Sequence, residues 1–219
     1  QKTLQIKPNF YEALNNLGNC LQRLNKFDEA LNIYQKAINI KPDYVPANNN
    51  LGQLQLLLGN YKDGFKNYEW RKKNQEINKY KIFEEKIEWL GNQNIKGKNL
   101  FISSEQGIGD YIQFCRYFVE LKKLKTKLIL DTPESLIPLI KSMDIDFVHS
   151  KNLETIVFDY HCSIGSLPLA FGTTLKNIPN KTPYFFIHDS EKAIWRQKLK
   201  KDKKNIGLKW TGNKFYWDD

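Results

Sequence analysis

Apolar positions in the first third of the chain follow a helical spacing. Leu14, Leu17, Leu21 and Leu24 fall on one face of a predicted first helix. Phe27, Ala30, Leu31, Tyr34, Ala37 and Ile38 make the packing face of a second. Gly18 and Ala30 are small where two helices must approach closely, and Pro42 stops the second helix. The same pattern returns about 34 residues later. Ile6-Lys7-Pro8 recurs as Ile40-Lys41-Pro42, Ala13 as Ala47, Asn15-Asn16 as Asn49-Asn50, and Leu17-Gly18 as Leu51-Gly52. Leu24 recurs as Leu58, Phe27 as Tyr61 and Tyr34 as Tyr68.

Further along, the period changes. A charged connector over 77–97 ends in Trp89-Leu90-Gly91 and a polar loop, and is expected to dock one aromatic onto the domain that follows. From 98 onwards, short apolar runs alternate with helical stretches. Asn99 to Ser103 reads as a buried strand, followed by a glycine loop and a helix from about Tyr111 to Lys123. Ile112, Cys115, Phe118 and Val119 share a face of that helix. Further strands are predicted at Lys127–Leu130, Asp146–Val148, Ile156–Phe158 and Ile206–Trp210. Pro133 opens a helix through Ile140, and Ser190 caps another over about Glu191–Lys200. Such alternation predicts a mostly parallel, doubly wound α/β sheet.

The block of about 34 residues resembles the tetratricopeptide repeat, over residues 1 to about 76. That resemblance implies a protein or peptide partner held by the repeats. One hairpin cannot bury its own apolar face, so repeats stack. About two copies are visible, which leads us to expect further copies upstream and a chain that is a piece of something longer.

Composition narrows the partners. Lys+Arg 34 against Asp+Glu 24 leaves a net charge of +10. A basic balance raises nucleic acid as a partner. The lysines are spread through a chain rich in Asn and Ile, and the densest run, Lys198 to Lys204, ends a predicted helix, where the dipole favours cations. No nucleic-acid motif accompanies it, so no nucleic-acid partner is expected. Cys20, Cys115 and Cys162 are far apart and form no CxxC, which fits a reduced, cytoplasmic setting. No run of about 18 apolar residues predicts a membrane span. His149, His161 and His188 lack ligand spacing, so no metal is expected.

The candidate chemistry lies in Glu105-Gln106-Gly107-Ile108-Gly109-Asp110, between the first strand and its helix. Ligands of parallel sheets bind at the carboxyl ends of strands, and glycines let backbone come close to them. The dinucleotide fingerprint is not met, because Ile112 stands where its third glycine belongs. Asp110 reads equally well as a helix N-cap or as a catalytic carboxylate. Ser163 and Ser166 lack the glycine-flanked elbow of a nucleophile, and Cys115 belongs to the core.

Several stretches together resemble one protein type. They are Ser103 to Tyr117 (SSEQGIGDYIQFCRY), Phe158 to Thr173 (FDYHCSIGSLPLAFGT), Ile178-Pro179, Pro183-Tyr184 and Ile206 to Asn213 (IGLKWTGN), preceded by Tyr68-Glu69-Trp70-Arg71 and Trp89-x-Gly91. In order, they are similar to bacterial tetratricopeptide proteins whose C-terminal part resembles the family 9, heptosyltransferase-like glycosyltransferases. The resemblance implies repeats followed by the N-terminal Rossmann-like lobe of a GT-B glycosyltransferase, over 98–219. That lobe would bind a glycan or protein acceptor. Asp110 would be the general base, with Gln106, Gly107, Gly109 and Gln113 near the acceptor. His161 would touch it at the cleft edge, or else hold a backbone carbonyl. Trp210, Gly212 and Asn213 would face a nucleotide-sugar donor across the cleft, or form an ordinary strand-end turn. The donor is a co-substrate, and no cofactor or metal is implied. The family pattern continues past Asn213 with proline and histidine, where this chain has Lys214 and Tyr216 and stops at Asp219. The donor-binding lobe is therefore expected to be missing and this chain alone to transfer no sugar. A scaffold with a non-catalytic transferase-like lobe is the alternative.

Overall fold

A computed structural model describes residues 7, 9–73, 86–105, 107–149, 156–187, 189–200 and 202–207. Among the described residues four helices come first: α1 (Tyr11–Arg23), α2 (Phe27–Ile40), α3 (Val45–Leu57) and α4 (Tyr61–Tyr68). They form two hairpins, α1 with α2 and α3 with α4. The apolar stripe read in α2 is the seam. Ala30, Tyr34 and Ala37 are fully buried in it, and Leu51 and Leu54 of α3 close over Tyr34. Gly18 permits the approach of α1, because a Cβ there would lie 2.4 Å from Cε1 of Tyr34. Leu24, expected on the packing face, caps α1 and is 68% exposed.

Five parallel strands follow among the described residues: β1 (Ile87–Glu88), β2 (Asn99–Ser103), β3 (Lys127–Leu130), β4 (Phe147–His149) and β5 (Tyr160–Ser163). Their order is β1-β5-β2-β3-β4. The chain thus has helical hairpins first and a parallel α/β sheet after them, with β2 at its centre. Alternation along the strands divides the core. Leu100, Ile102, Leu128, Leu130 and Cys162 face the helices α5 (Ile108–Phe114), α6 (Tyr117–Lys123) and α7 (Ile137–Lys141), burying Phe118, Leu121 and Ile140. On the other face Phe101 stacks on Phe158 at 5.4 Å, beside Ile129.

Several expectations need correction. The strand expected at Ile156–Phe158 is four residues late: β5 is Tyr160–Ser163, and Val157 is 81% exposed. β1 lies inside the segment read as a connector; its two residues are too few to show a period. The single helix expected over 111–123 is two, α5 and α6, meeting at Cys115 and Arg116, and the first begins at Ile108. The last helix among the described residues, α9 (Asp189–Lys198), starts before Ser190, which is therefore not its cap. Of the strand expected at 206–210, Ile206 and Gly207 are described and neither is in a strand; 208–210 lie outside the described residues.

The connector does dock an aromatic. Trp89 is 3% exposed, lies edge-on to Phe171 at 5.7 Å and donates its ring N–H to the Gln93 carbonyl at 3.1 Å.

Candidate functional site

The sheet order places the switch in winding direction between β2 and β5. The chain leaves β2 towards β3 on one side, while β5 lies on the other. Parallel sheets bind ligands at such a point, beyond the carboxyl ends of the strands. Hydroxyls line it. Ser103 and Ser163 are paired in register, with Oγ atoms 3.3 Å apart. Ser104 donates through its hydroxyl and, at 3.3 Å, its N–H to the Asp131 carboxylate at the end of β3. Tyr111 of α5 and Thr132 share a hydrogen bond of 2.7 Å, and burial pushes the Tyr111 phenol well above its usual range.

Asp110 is the third residue of α5, half-buried. It is not the cap: Gly107 occupies that position and offers no side-chain hydrogen bond. Among the described residues the Asp110 carboxylate has no hydrogen-bond or ion-pair partner. Gly107 and Gly109 are exposed, and a Cβ on either would meet nothing within 4 Å. The protein's own packing therefore does not require glycine there. Gln113 is exposed on α5, one turn beyond Gly109.

His161 stands within β5, between Glu88 of β1 and Phe101 of β2, two residues short of the strand's carboxyl end. Its ring lies 6.3 Å from that of Phe158 and donates an N–H to the Lys86 backbone carbonyl. Burial holds its pKa below the usual histidine value, against the pull of Glu88. Gln106, Trp210, Gly212 and Asn213 lie outside the described residues. Cys115 and Cys162 are buried, and burial pushes the Cys115 thiol up to about 12. Cys20 is exposed. Among the described residues, no group of three or more His, Cys, Asp or Glu could hold a metal ion, and no helix is long and apolar enough to cross a membrane.

The largest feature that sequence reasoning missed is a buried charge cluster. Arg71, in the 3₁₀ turn Glu69–Lys73 after α4, is 1% exposed. Its Nε and Nη2 donate to the two oxygens of Glu105, at 2.6 and 2.8 Å. Nη1 donates to the Tyr68 carbonyl and to Glu69, and Nη2 also to Ser166 Oγ at 2.9 Å. Ser166 in turn donates to Glu69 at 2.8 Å. Lys72 bridges Glu69 and Glu88. Burial works against these charges. Glu105, then Glu69, nevertheless hold Arg71 firmly protonated, while Arg71 and Lys72 keep Glu69 below its usual range. Tyr68, Glu69, Arg71, Glu105 and Ser166 lie inside quoted motifs, but Lys72 and Glu88 do not, and only the fold brings Arg71, Glu105 and Ser166 together.

The hairpins carry a second candidate surface. Asn50 donates to the side-chain oxygens of Asn15 and Asn19, each at 3.0 Å. The Tyr34 hydroxyl is shared between Asn19 at 2.7 Å and Gln22 at 3.1 Å, and burial raises its pKa to about 12. Asn19, Gln22 and Asn50, with Asn16, Arg23 and Gln53, line an open groove, while Asn15 is buried beneath it. Two family models, both described as tetratricopeptide repeat, match residues 11–44 and 33–65. The N-terminal hairpins are tetratricopeptide repeats. No curated protein matches the chain. Among solved structures, a mutant O-GlcNAc transferase of Thermobaculum terrenum is 12% identical, with a TM-score of 0.33; the match covers 71% of this chain and 37% of that one. The chain thus spans well under half of that protein's length. A likeness this distant says nothing of what the α/β sheet does, whereas the tetratricopeptide repeats imply a protein or peptide partner.

Proposed function

We propose that the α/β sheet is the acceptor-side, Rossmann-like lobe of an inverting GT-B glycosyltransferase, similar to the family 9, heptosyltransferase-like group. The tetratricopeptide repeats would hold the acceptor protein or a partner beside it. The observation that carries this reading is the partnerless Asp110 carboxylate on the first turn of α5, next to open backbone at Gly107 and Gly109. Asp110 takes the proton from an acceptor hydroxyl as that oxygen attacks the anomeric carbon of a nucleotide-sugar. The bond from that carbon to the diphosphate breaks, and the nucleotide diphosphate leaves with the electron pair. No metal takes part. Gln106, Gly107, Gly109 and Gln113 border the acceptor, His161 supports the strand behind them, and Trp210, Gly212 and Asn213 face the donor. A cytoplasmic setting suits a nucleotide-sugar donor.

Asp110→Asn tests the reading in a protein that extends beyond Asp219 into a donor lobe. Turnover should fall at least about a hundredfold, as loss of a general base does, with the melting temperature unchanged. Unaltered turnover would reduce Asp110 to a first-turn charge.

One observation favours a second reading, a tetratricopeptide scaffold with a non-catalytic lobe: the switch point is occupied by the protein's own Arg71–Glu105 pair. In that case the extended protein binds its partner through the repeats and consumes no nucleotide-sugar.

A further inference from the structure

Arg71 belongs by sequence to the end of the repeat array, yet it sits at the heart of the sheet's switch point. Its guanidinium reaches Glu105 in the loop after β2 and Ser166 in the turn after β5. These are the loops of the two adjacent strands between which the winding direction changes. Every guanidinium N–H finds an acceptor. The turn after β5 leaves room for it: a Cβ on Gly165 would come within 3.0 Å of Nη2.

We propose that Arg71 is a positioning residue, through which the repeat array fixes the loop after β2 and hence the place of Asp110. What Asp110 does there rests on the transferase reading; that the loop is held from the repeats does not.

Three observations separate this role from plain stabilisation. The first is geometry. A two-toothed contact between a guanidinium and a carboxylate fixes orientation as well as distance, which a lysine's point charge cannot do. Both Glu105 oxygens are engaged by Arg71, so the side chain has one allowed direction. The second is that, among the described residues beyond Glu105, the loop is open. Ser104 is tied to Asp131, but beyond Glu105 the backbone at Gly107 and Gly109 has open space around it. The third is burial. Arg71 and Glu105 have side chains 1% and 3% exposed. Taking such charges out of water is costly, and apolar residues of similar size commonly stabilise a core as well. What an apolar pair cannot supply is the fixed direction.

Hydrogen exchange on the 219-residue chain tests this without requiring sugar transfer. The probe is the first turn of α5, where the Tyr111 N–H bonds to the Gly107 carbonyl at 3.2 Å. In Arg71→Lys, which keeps the buried charge but loses the fork, exchange there should speed at least about tenfold while α1, α2 and β3 keep their protection. Arg71→Met with Glu105→Met removes both charges, so the fold is retained, and the same turn should loosen again. Unchanged exchange in α5 in both variants overturns the proposal. So does an equal loss of protection across the chain, which would make Arg71 a general stabiliser. In an extended protein with measurable turnover, Arg71→Lys should lower kcat and leave peptide binding by the repeats unaltered. If the wild type shows no turnover, the transferase reading falls while the exchange result stands or fails on its own.

Discussion

Gly91 shows how much one missing side chain allows. Its φ is +92°, and a Cβ there would stand 2.0 Å from the Ala170 carbonyl oxygen. That close approach brings the connector against α8 (Leu167–Ala170) and lets Trp89 enter the core. Gly91→Ala should cost about 2–4 kcal/mol, combining left-handed strain with overpacking. A urea titration reads the loss, and a change under about 0.5 kcal/mol would sink the account. Sequence reasoning located Trp89 and Gly91 but not their contact, since Ala170 is remote in the chain. The same holds at the candidate site. Asp110 could be singled out from its loop, yet its alternative role as a cap could only be removed by seeing α5 begin at Ile108, with Gly107 as its cap. Arg71 was one letter in a motif until the fold set its guanidinium against Glu105.

Among elements, legibility followed how each one buries itself. β2 could be read residue for residue because it is central and buried on both faces, giving a continuous apolar run. The hairpins were equally plain, since helical period and repeat period agree. β5 was misplaced because its sequence, Tyr-His-Cys-Ser, looks polar. Its polar groups are satisfied by neighbours across strands, Ser163 by Ser103 and His161 by the Lys86 backbone. The break between α5 and α6 carries no glycine or proline, and both Cys115 and Arg116 keep right-handed helical angles, so the apolar period runs on through it. α9 stands apart, because none of its residues is buried and Trp195 is 54% exposed. Trp195→Ser should therefore change the stability of this chain by less than about 0.5 kcal/mol. A larger loss in thermal or urea unfolding would mean that α9 packs against something here.

Across the whole molecule, repeats and sheet meet through charge. Burial opposes ionisation of Glu69, but Arg71 and Lys72 prevail and hold its folded pKa below the ordinary 4.5. A carboxyl depressed in this way contributes stability that is present above its unfolded value and lost as pH falls through the folded one. The melting temperature should therefore drop as pH falls below about 4.5, and less steeply in Glu69→Gln. His161 has the same sign: its depressed pKa penalises protonation, so stability also declines as pH falls below the ordinary 6.5. Parallel profiles for wild type and Glu69→Gln would refute the assignment to Glu69. The position of Arg71 also limits how the array can grow. Stacked repeats ordinarily gain or lose copies anywhere, because each touches only its neighbours. Here a copy inserted between α4 and the sheet would carry Arg71 away from Glu105 and Ser166. Copy number is free to vary only ahead of the last hairpin, which makes that hairpin a fixed part of the α/β domain rather than an interchangeable unit of the solenoid.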